Sequence, residues 1–185
     1  MLEINEIKIG RVLAVNNEPY TVIKAEHHKM GRGGAVLKVK MRNLINGSIL
    51  DRTFQGNEKA EEANTEKKPA NFLYQSGEEA YFMDNENFEQ FSLTREQVGE
   101  KIKFLKEGVT VDLLYFNGQP VAAVVPIKIA LQVKSAPPGV KGNSAGNVNK
   151  IVELETGAMI NAPMFINEGD TIIVNTDTEE YAARA

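Results

Sequence analysis

The chain has no cysteine, no tryptophan and only two histidines. Without cysteine there is no disulfide, no thiol nucleophile and no cysteine-ligated metal, and a reducing compartment is compatible with the composition. The histidines, His27 and His28, are adjacent, and neighbouring strand residues point to opposite faces, so they do not combine on one metal ion. Long apolar runs are missing as well. The most apolar stretch, Val121 to Leu131, is interrupted by Pro126 and Lys128 and falls short of the roughly 20 residues that a membrane-spanning helix needs. Met1 to Glu6 carries acids where a signal peptide carries cations before its apolar segment, which argues against secretion and for a cytoplasmic protein.

What remains is an ordinary globular composition of 185 residues, 42% apolar and 25% charged, enough to build a core. The net charge of −4 is unevenly spread. From Lys24 to Arg52 there are seven cations (Lys24, Lys29, Arg32, Lys38, Lys40, Arg42, Arg52) against two acids (Glu26, Asp51), while the rest of the chain is acidic. A basic patch on an acidic protein favours a polyanion at one end, although a solvated face would carry the same charges.

The sharpest motif lies inside that patch. In Lys29-Met30-Gly31-Arg32-Gly33-Gly34-Ala35 glycines bracket an arginine between two strand-like segments. The glycines permit the positive φ angles of a tight turn and remove the Cβ atoms that would keep another backbone away, so the tip can enter a narrow place. Lys38, Lys40 and Arg42 follow at alternate positions and share one strand face, each about 6–7 Å from the next. A tip cation kept for solubility would look the same.

Strand and turn signals dominate the whole chain and predict an all-β fold. Segments 11–15, 20–25, 35–41 and 49–54 are short and β-branched or alternating, separated by Asn16-Asn17, the glycine tip and Asn46-Gly47, the last having the form of a type I′ hairpin turn. From Gly56 to Lys68 the chain is polar with no periodic apolar face, and a domain boundary is expected there. A second strand-rich block holds Phe72-Leu73-Tyr74, Ala80 to Met83, and 109–116 paired with 121–125 across Asn117-Gly118. Within it, Thr94-Arg95-Glu96-Gln97 has the form of a capping box, and Val98, Ile102 and Leu105 have helical spacing, predicting one short helix. After a Gly/Pro-rich loop from Ala136 to Gly146, short strands are expected at 151–154, 159–160, 165–166 and 171–174, as in small five-stranded barrels. The expected domains are 1–64, 65–127 and 128–185.

These residues resemble bacterial elongation factor P nearly end to end. Two stretches carry the resemblance: KMGRGGAVLKVKMRNL from Lys29 to Leu44, and Thr156-Gly157 through Pro163, Phe165-Ile166, Gly169-Asp170, Ile172, Val174, Thr176, Tyr181 and Arg184. Phe72-Leu73-Tyr74, Phe82-Met83-Asp84 and Pro138 to Gly142 fall in matching places between them. The resemblance implies an SH3-like (KOW-type) first barrel followed by two OB-fold barrels in an L shape. Departures exist. Met30 stands where the family usually has proline, Arg32 where many members carry a modified lysine, and Asn175, Asp177 and Glu179 where Asp, Arg and Gly are usual.

The function implied is a translation elongation factor acting as a monomer, with no cofactor. It would bind the ribosome and ribosomal RNA beside peptidyl-tRNA and relieve stalling at consecutive prolines by ordering a poorly reactive substrate. The functional tip would be Gly31, Arg32, Gly33 and Gly34, with Arg32 near the tRNA CCA end, and Lys29, Lys38, Lys40 and Arg42 would hold RNA phosphates. Arg32 is also the candidate modification site. Arginine-tipped members imply an arginine rhamnosyltransferase as a further partner, while the unusual flanks leave a bare Arg32 as the alternative. An elongation factor P-like paralogue and a stand-alone RNA-binding module are the other readings.

Enzymatic readings find little to stand on. Asp84, Glu86 and Glu89 read as a solvated turn without a histidine or cysteine partner. Gly139 to Gly146 resembles a phosphate loop only superficially, because Lys141 precedes the second glycine pair and no helix follows. Tyr74, Tyr81, Phe82, Phe88, Phe91 and Tyr115 are candidate stacking platforms or core.

Overall fold

The structure is a computed structural model and describes residues 1–30, 34–137 and 149–185, with the backbone alone for Lys29, Met30 and Gly34. The chain is nearly all β and divides into two compact units, Met1–Lys68 with Leu113–Ala123, and Pro69–Asp112 with Val124–Ala185.

In the first unit β1 (Leu2–Glu3) leads into a 3-10 turn at Ile4–Glu6, where the Glu3 N–H donates to the Glu6 carboxylate at 2.8 Å. Strands β2 (Val12–Val15), β3 (Glu18–Met30), β4 (Gly34–Asn43) and β5 (Ile49–Gln55) form an antiparallel sheet in that order. Alternation builds its core. Leu37, Val39 and Met41 of β4 point inward and pack with Ile7, Leu13, Val22 and Phe54, all nearly inaccessible to solvent. Asn16 and Asn17 both take left-handed φ (52° and 63°), the two-residue turn whose twist suits a β-hairpin.

The turn expected at Asn46-Gly47 forms differently. Only Gly47 is left-handed (φ 72°), and the loop runs from Leu44 to Ser48 because the buried Asn43 organises it: its Oδ1 accepts from the N–H groups of Ile45 (2.8 Å) and Asn46 (3.3 Å). A side chain that mimics a backbone turn outcompetes the tighter hairpin.

The polar segment after Gly56 is not faceless either. Within it β6 (Lys59–Ala60) pairs antiparallel with β1, Ala60 and Ala63 are buried, and the Ala63 N–H donates to the Val12 carbonyl at 3.0 Å. Two alanines give too small an apolar signal to be read as a packed face.

Strands β7 (Thr65–Ser76), β8 (Glu79–Asp84) and β9 (Gln90–Thr94) are followed by α1 (Arg95–Val98), then β10 (Thr110–Phe116) and β11 (Gln119–Val124); the sheet order is β11-β10-β7-β8-β9. The capping box at α1 is present, with Thr94 Oγ1 accepting from the Gln97 N–H and Gln97 Oε1 from the Thr94 N–H. Val98, Ile102 and Leu105 are all buried as their spacing requires. The helix itself lasts one turn, because Gly99 (φ 81°, ψ −175°) breaks it and a 3-10 turn over Glu100–Phe104 continues the apolar face.

Strands β12 (Lys128–Ser135), β13 (Asn149–Leu154), β14 (Met159–Pro163), β15 (Thr171–Asn175) and β16 (Glu180–Arg184) close into a barrel in the order β12-β13-β14-β16-β15. Ile129, Leu131, Val133, Val152, Leu154, Ile160, Ile172 and Val174 fill it at alternate positions. Phe165-Ile166, expected as a strand, lies in a turn that drops Ile166 into the core. The same Greek-key path underlies both five-stranded sheets. Numbering each set from first to fifth, the barrel runs 1-2-3-5-4, and opening it between strands 3 and 5 gives 5-4-1-2-3, the order β11-β10-β7-β8-β9.

Candidate nucleic-acid interface

The β3–β4 hairpin presents the basic row. Ten residue pairs hold its register, from Tyr20 opposite Asn43 to Met30 opposite Gly34, and a bulge at Ile23 lets both Val22 and Ala25 face the core. Without the bulge, the period of two would carry Ala25 to the outer face. Neighbouring strands accompany only part of this length. β2 pairs with Glu18–Thr21 and β5 reaches Val36, with the Gly56 N–H just past β5 still donating to the Ala35 carbonyl at 2.9 Å, so only the Met30–Gly34 end of the two-stranded ribbon extends beyond its neighbours. The segment expected at 20–25 is thus the start of a much longer strand.

On the outer face, Lys38 and Lys40 are exposed and Arg42 is half-buried, while the alternating Leu37, Val39 and Met41 are sealed beneath. The sheet therefore fixes the three cations in line on the surface leading to the ribbon. Lys24 lies opposite Lys40, Glu26 opposite Lys38, and on the other flank Asp51 lies opposite Lys40. Lys24 Nζ and Glu26 Oε1 are 2.6 Å apart. Each holds the other in its charged form: the bond to Glu26 raises the Lys24 ammonium above its usual value, and the bond to Lys24 lowers the Glu26 carboxyl below its own. Among the described residues, Lys38, Lys40 and Arg42 make no ion pair within 4.0 Å.

Other cations and polar residues sort themselves by face. Arg52 stands opposite Val39 and stacks its guanidinium 4.6 Å from the Phe54 ring, so it belongs to the inner side and not to the row. His27 is opposite Leu37 and His28 opposite Val36, on alternate faces as adjacency requires, with His28 Nε2 3.9 Å from Glu26 Oε2. Arg32, Gly31 and Gly33 lie outside the described residues, as does the glycine-rich stretch from Pro138 to Gly146.

Burial decides the remaining candidates. Asp84 is not part of a solvated turn: it is 2% exposed, and its Oδ1 accepts from the Glu86 N–H at 2.7 Å, organising the loop that carries Phe88 outward with a left-handed φ of 60°. Phe82 is core, whereas Tyr74 is exposed and stacks on Tyr81 at 4.7 Å. No group of three or more His, Asp or Glu side chains suited to a metal ion occurs among the described residues. Sequence reasoning missed a set of ion pairs near the other end of the chain. Lys101 pairs with Asp177, Lys103 with Glu179 at 2.7 Å and Lys106 with Glu155 at 3.0 Å, linking the segment around the 3-10 turn to two turns of the closed barrel.

Comparison with known proteins accounts for the whole length. Residues 3–60 match the profile described as Elongation factor P (EF-P) KOW-like domain, 65–123 the Elongation factor P (EF-P) OB domain, and 129–184 Elongation factor P, C-terminal. The curated protein Elongation factor P of Natranaerobius thermophilus is 39% identical over 184 residues, covering 100% of this chain and 98% of that one; Elongation factor P of Desulfitobacterium hafniense is 39% identical with both chains fully covered. A solved structure described as eukaryotic translation initiation factor 5A from Methanococcus jannaschii aligns with 66% of this chain and 94% of its own at 17% identity, and its TM-score of 0.46 is too low to bear on the assignment. Profiles and relatives agree across nearly every residue, and the chain belongs to the bacterial elongation factor P family of translation factors.

Proposed function

We propose that this translation factor binds the ribosome beside peptidyl-tRNA, reaches the CCA end with its glycine-bracketed tip, and speeds peptide-bond formation at consecutive prolines without catalysing a reaction of its own. The observation that carries the reading is the outward line of Lys38, Lys40 and Arg42 running along the hairpin toward the tip. Three cations at strand spacing match a polyphosphate backbone, and contacts of that kind position a protein on RNA without reading sequence. Lys29, paired with Ala35 near the hairpin end, has the register of the inward-facing Leu37 and Val39, so it would meet phosphate apart from the row and not as its continuation.

At the tip, Arg32 would supply a planar, permanently charged donor fork to phosphate, ribose or a base edge, and Gly31, Gly33 and Gly34 would let that fork approach without steric bulk. Proline restricts the backbone that carries it, so holding the peptidyl-tRNA in reactive geometry recovers part of the proximity advantage that other residues already enjoy. Arg32 lacks the primary amine used to attach a β-lysyl group. The alternatives at this residue are rhamnose on the guanidinium or no modification, and peptide mass mapping of protein from its native host separates them by a deoxyhexose. The division into tip-bearing barrel 1–64 and barrels 65–127 and 128–185, and a cytoplasmic site of action, belong to the same reading.

The test is a ribosome-binding titration across salt with Lys38→Gln, Lys40→Gln and Arg42→Gln combined. Removal of each phosphate-binding cation should flatten the slope of log K against log salt by roughly 0.7–0.9. Melting should hardly move, because the substituted side chains leave the inward Leu37, Val39 and Met41 untouched. An unchanged slope contradicts the assignment of the row, and binding to free RNA but not to ribosomes favours a stand-alone RNA-binding module.

A further inference from the structure

The face that carries the basic row also carries one acid that could switch part of it off. Glu26 sits directly across the hairpin from Lys38, and residues so paired have Cβ atoms about 4.5–5.5 Å apart, close enough for opposite charges to join. The join is not made. Glu26 turns along its own strand to Lys24, with Nζ and Oε1 2.6 Å apart, and both side chains stay largely exposed. The other charged groups on this face are accounted for: His28 is 3.9 Å from Glu26, Asp51 lies opposite Lys40 from β5, and Thr53, uncharged, is the β5 neighbour of Lys38. Glu26 is therefore the one acid directly opposite Lys38 among the described residues.

We propose that Lys24 is a positioning residue for RNA binding: it holds Glu26 away from Lys38 and so leaves the Lys38 ammonium free for a phosphate. This rests on the reading of Lys38 as an RNA contact. Lys24 and Lys40 stand opposite one another as like charges, and Asp51, across from Lys40 on β5, acts on Lys24 as well. An exposed ion pair contributes little to stability, so the pair's effect lies in which lysine the acid occupies, not in holding the fold. Removing Lys24 leaves Glu26 with Lys38 as its directly opposed cation, and a protein–protein ion pair then competes with the phosphate.

Five full-length variants decide the matter in salt titrations against vacant ribosomes: Lys24→Met, Glu26→Gln, the two combined, and Lys38→Gln with and without Lys24→Met. Wild-type binding together with a flatter slope for Lys38→Gln establishes the contact on which the proposal depends; failure of either overturns the functional reading and the proposal with it. Given that contact, Lys24→Met should flatten the slope by the equivalent of about one phosphate, roughly 0.7–0.9, and adding Glu26→Gln should restore it. In the Lys38→Gln background Lys24→Met should change nothing further, a non-additivity expected of coupled neighbours. A slope unaffected by Lys24→Met overturns the proposal. So does a flattening that Glu26→Gln fails to rescue, since Lys24 would then be touching phosphate itself.

Discussion

At the scale of single residues, several positions that read as family signature turn out to be structural fasteners. Thr176 is 2% exposed, and its hydroxyl donates to the Pro126 carbonyl at 2.8 Å while its N–H donates to the Ile127 carbonyl. Thr176→Val keeps the shape and strands the Pro126 carbonyl, so it should cost about 1–2 kcal/mol in chemical denaturation. Arg184 lies 5.1 Å over the Phe165 ring and 3.5 Å from Asp170, and Phe165 meets Tyr181 edge-on, which ties the last strand to the turn before β15. None of this spatial pairing can be read from the order of residues alone. The departures Asn175, Asp177 and Glu179 are likewise accommodated. Asn175 Oδ1 accepts from the N–H groups of Asp177 and Thr178, Asp177 and Glu179 meet Lys101 and Lys103, and Glu179 takes the left-handed φ (59°) of a position where glycine is usual. These contacts hold the turn in this chain.

Glu155 makes a prediction that depends on pH. Burial works against its ionisation, but the Gln132 N–H at 2.8 Å and the Lys106 ammonium at 3.0 Å outweigh it, and the carboxyl sits below its ordinary value. A carboxyl depressed in the folded state stabilises the protein above its unfolded value and loses that contribution as pH falls through the folded one. Wild type should therefore be more stable than Glu155→Gln at pH 7, with the gap closing below about pH 4.3, where the unfolded carboxyl protonates. Urea unfolding of both proteins on either side of that pH checks it; a constant gap contradicts the account.

Among the elements, alternation is the most legible feature. Leu37, Val39 and Met41 against Lys38, Lys40 and Arg42 announce both the core and the basic row, because a period of two admits one assignment of faces. Where that period slips, legibility ends. The bulge at Ile23 shifts the phase of β3, so the alternation predicts a strand that stops by Ala25, although it continues to Met30. Short closing strands are also illegible. Lys59–Ala60 and Glu180–Arg184 bury little and owe their conformation to the strands they complete, a tertiary fact with almost no local pattern. The break after α1 shows the opposite case, a single residue overriding a periodic face. Gly99 occupies a region (φ 81°, ψ −175°) that is essentially glycine-only, and an added Cβ would meet nothing within 4 Å. Gly99→Ala should thus lower stability by about 1–3 kcal/mol through backbone strain alone. A melting temperature equal to wild type would mean that the segment re-forms as a longer helix.

For the whole molecule, the charge asymmetry and the repeated topology have physical meaning that composition alone does not give. The five-stranded path occurs twice, once closed and once opened between its third and fifth strands, although the sequence repeat is faint. Backbone pairing order needs only matched alternation and turns, so two segments can share it while sharing few residues. Lys24, Lys38, Lys40 and Arg42, by contrast, share one face of the β3–β4 hairpin on a chain of net charge −4, a local excess of the kind that attracts a polyanion. That concentration is what makes the tip testable apart from the fold. Arg32→Ala is expected to move stability within about 0.5 kcal/mol, as substitutions away from a packed core usually do, and leaves Lys38, Lys40 and Arg42 in place. The most direct measurement is reconstituted translation of two reporters, one with a Pro-Pro-Pro stretch and one without, supplemented with wild-type or Arg32→Ala protein from the native host. Wild type should restore synthesis across the prolines, Arg32→Ala should not, and the proline-free reporter should respond to neither. Equal rescue by both proteins would contradict the role of Arg32, and no rescue by wild type would contradict the function itself.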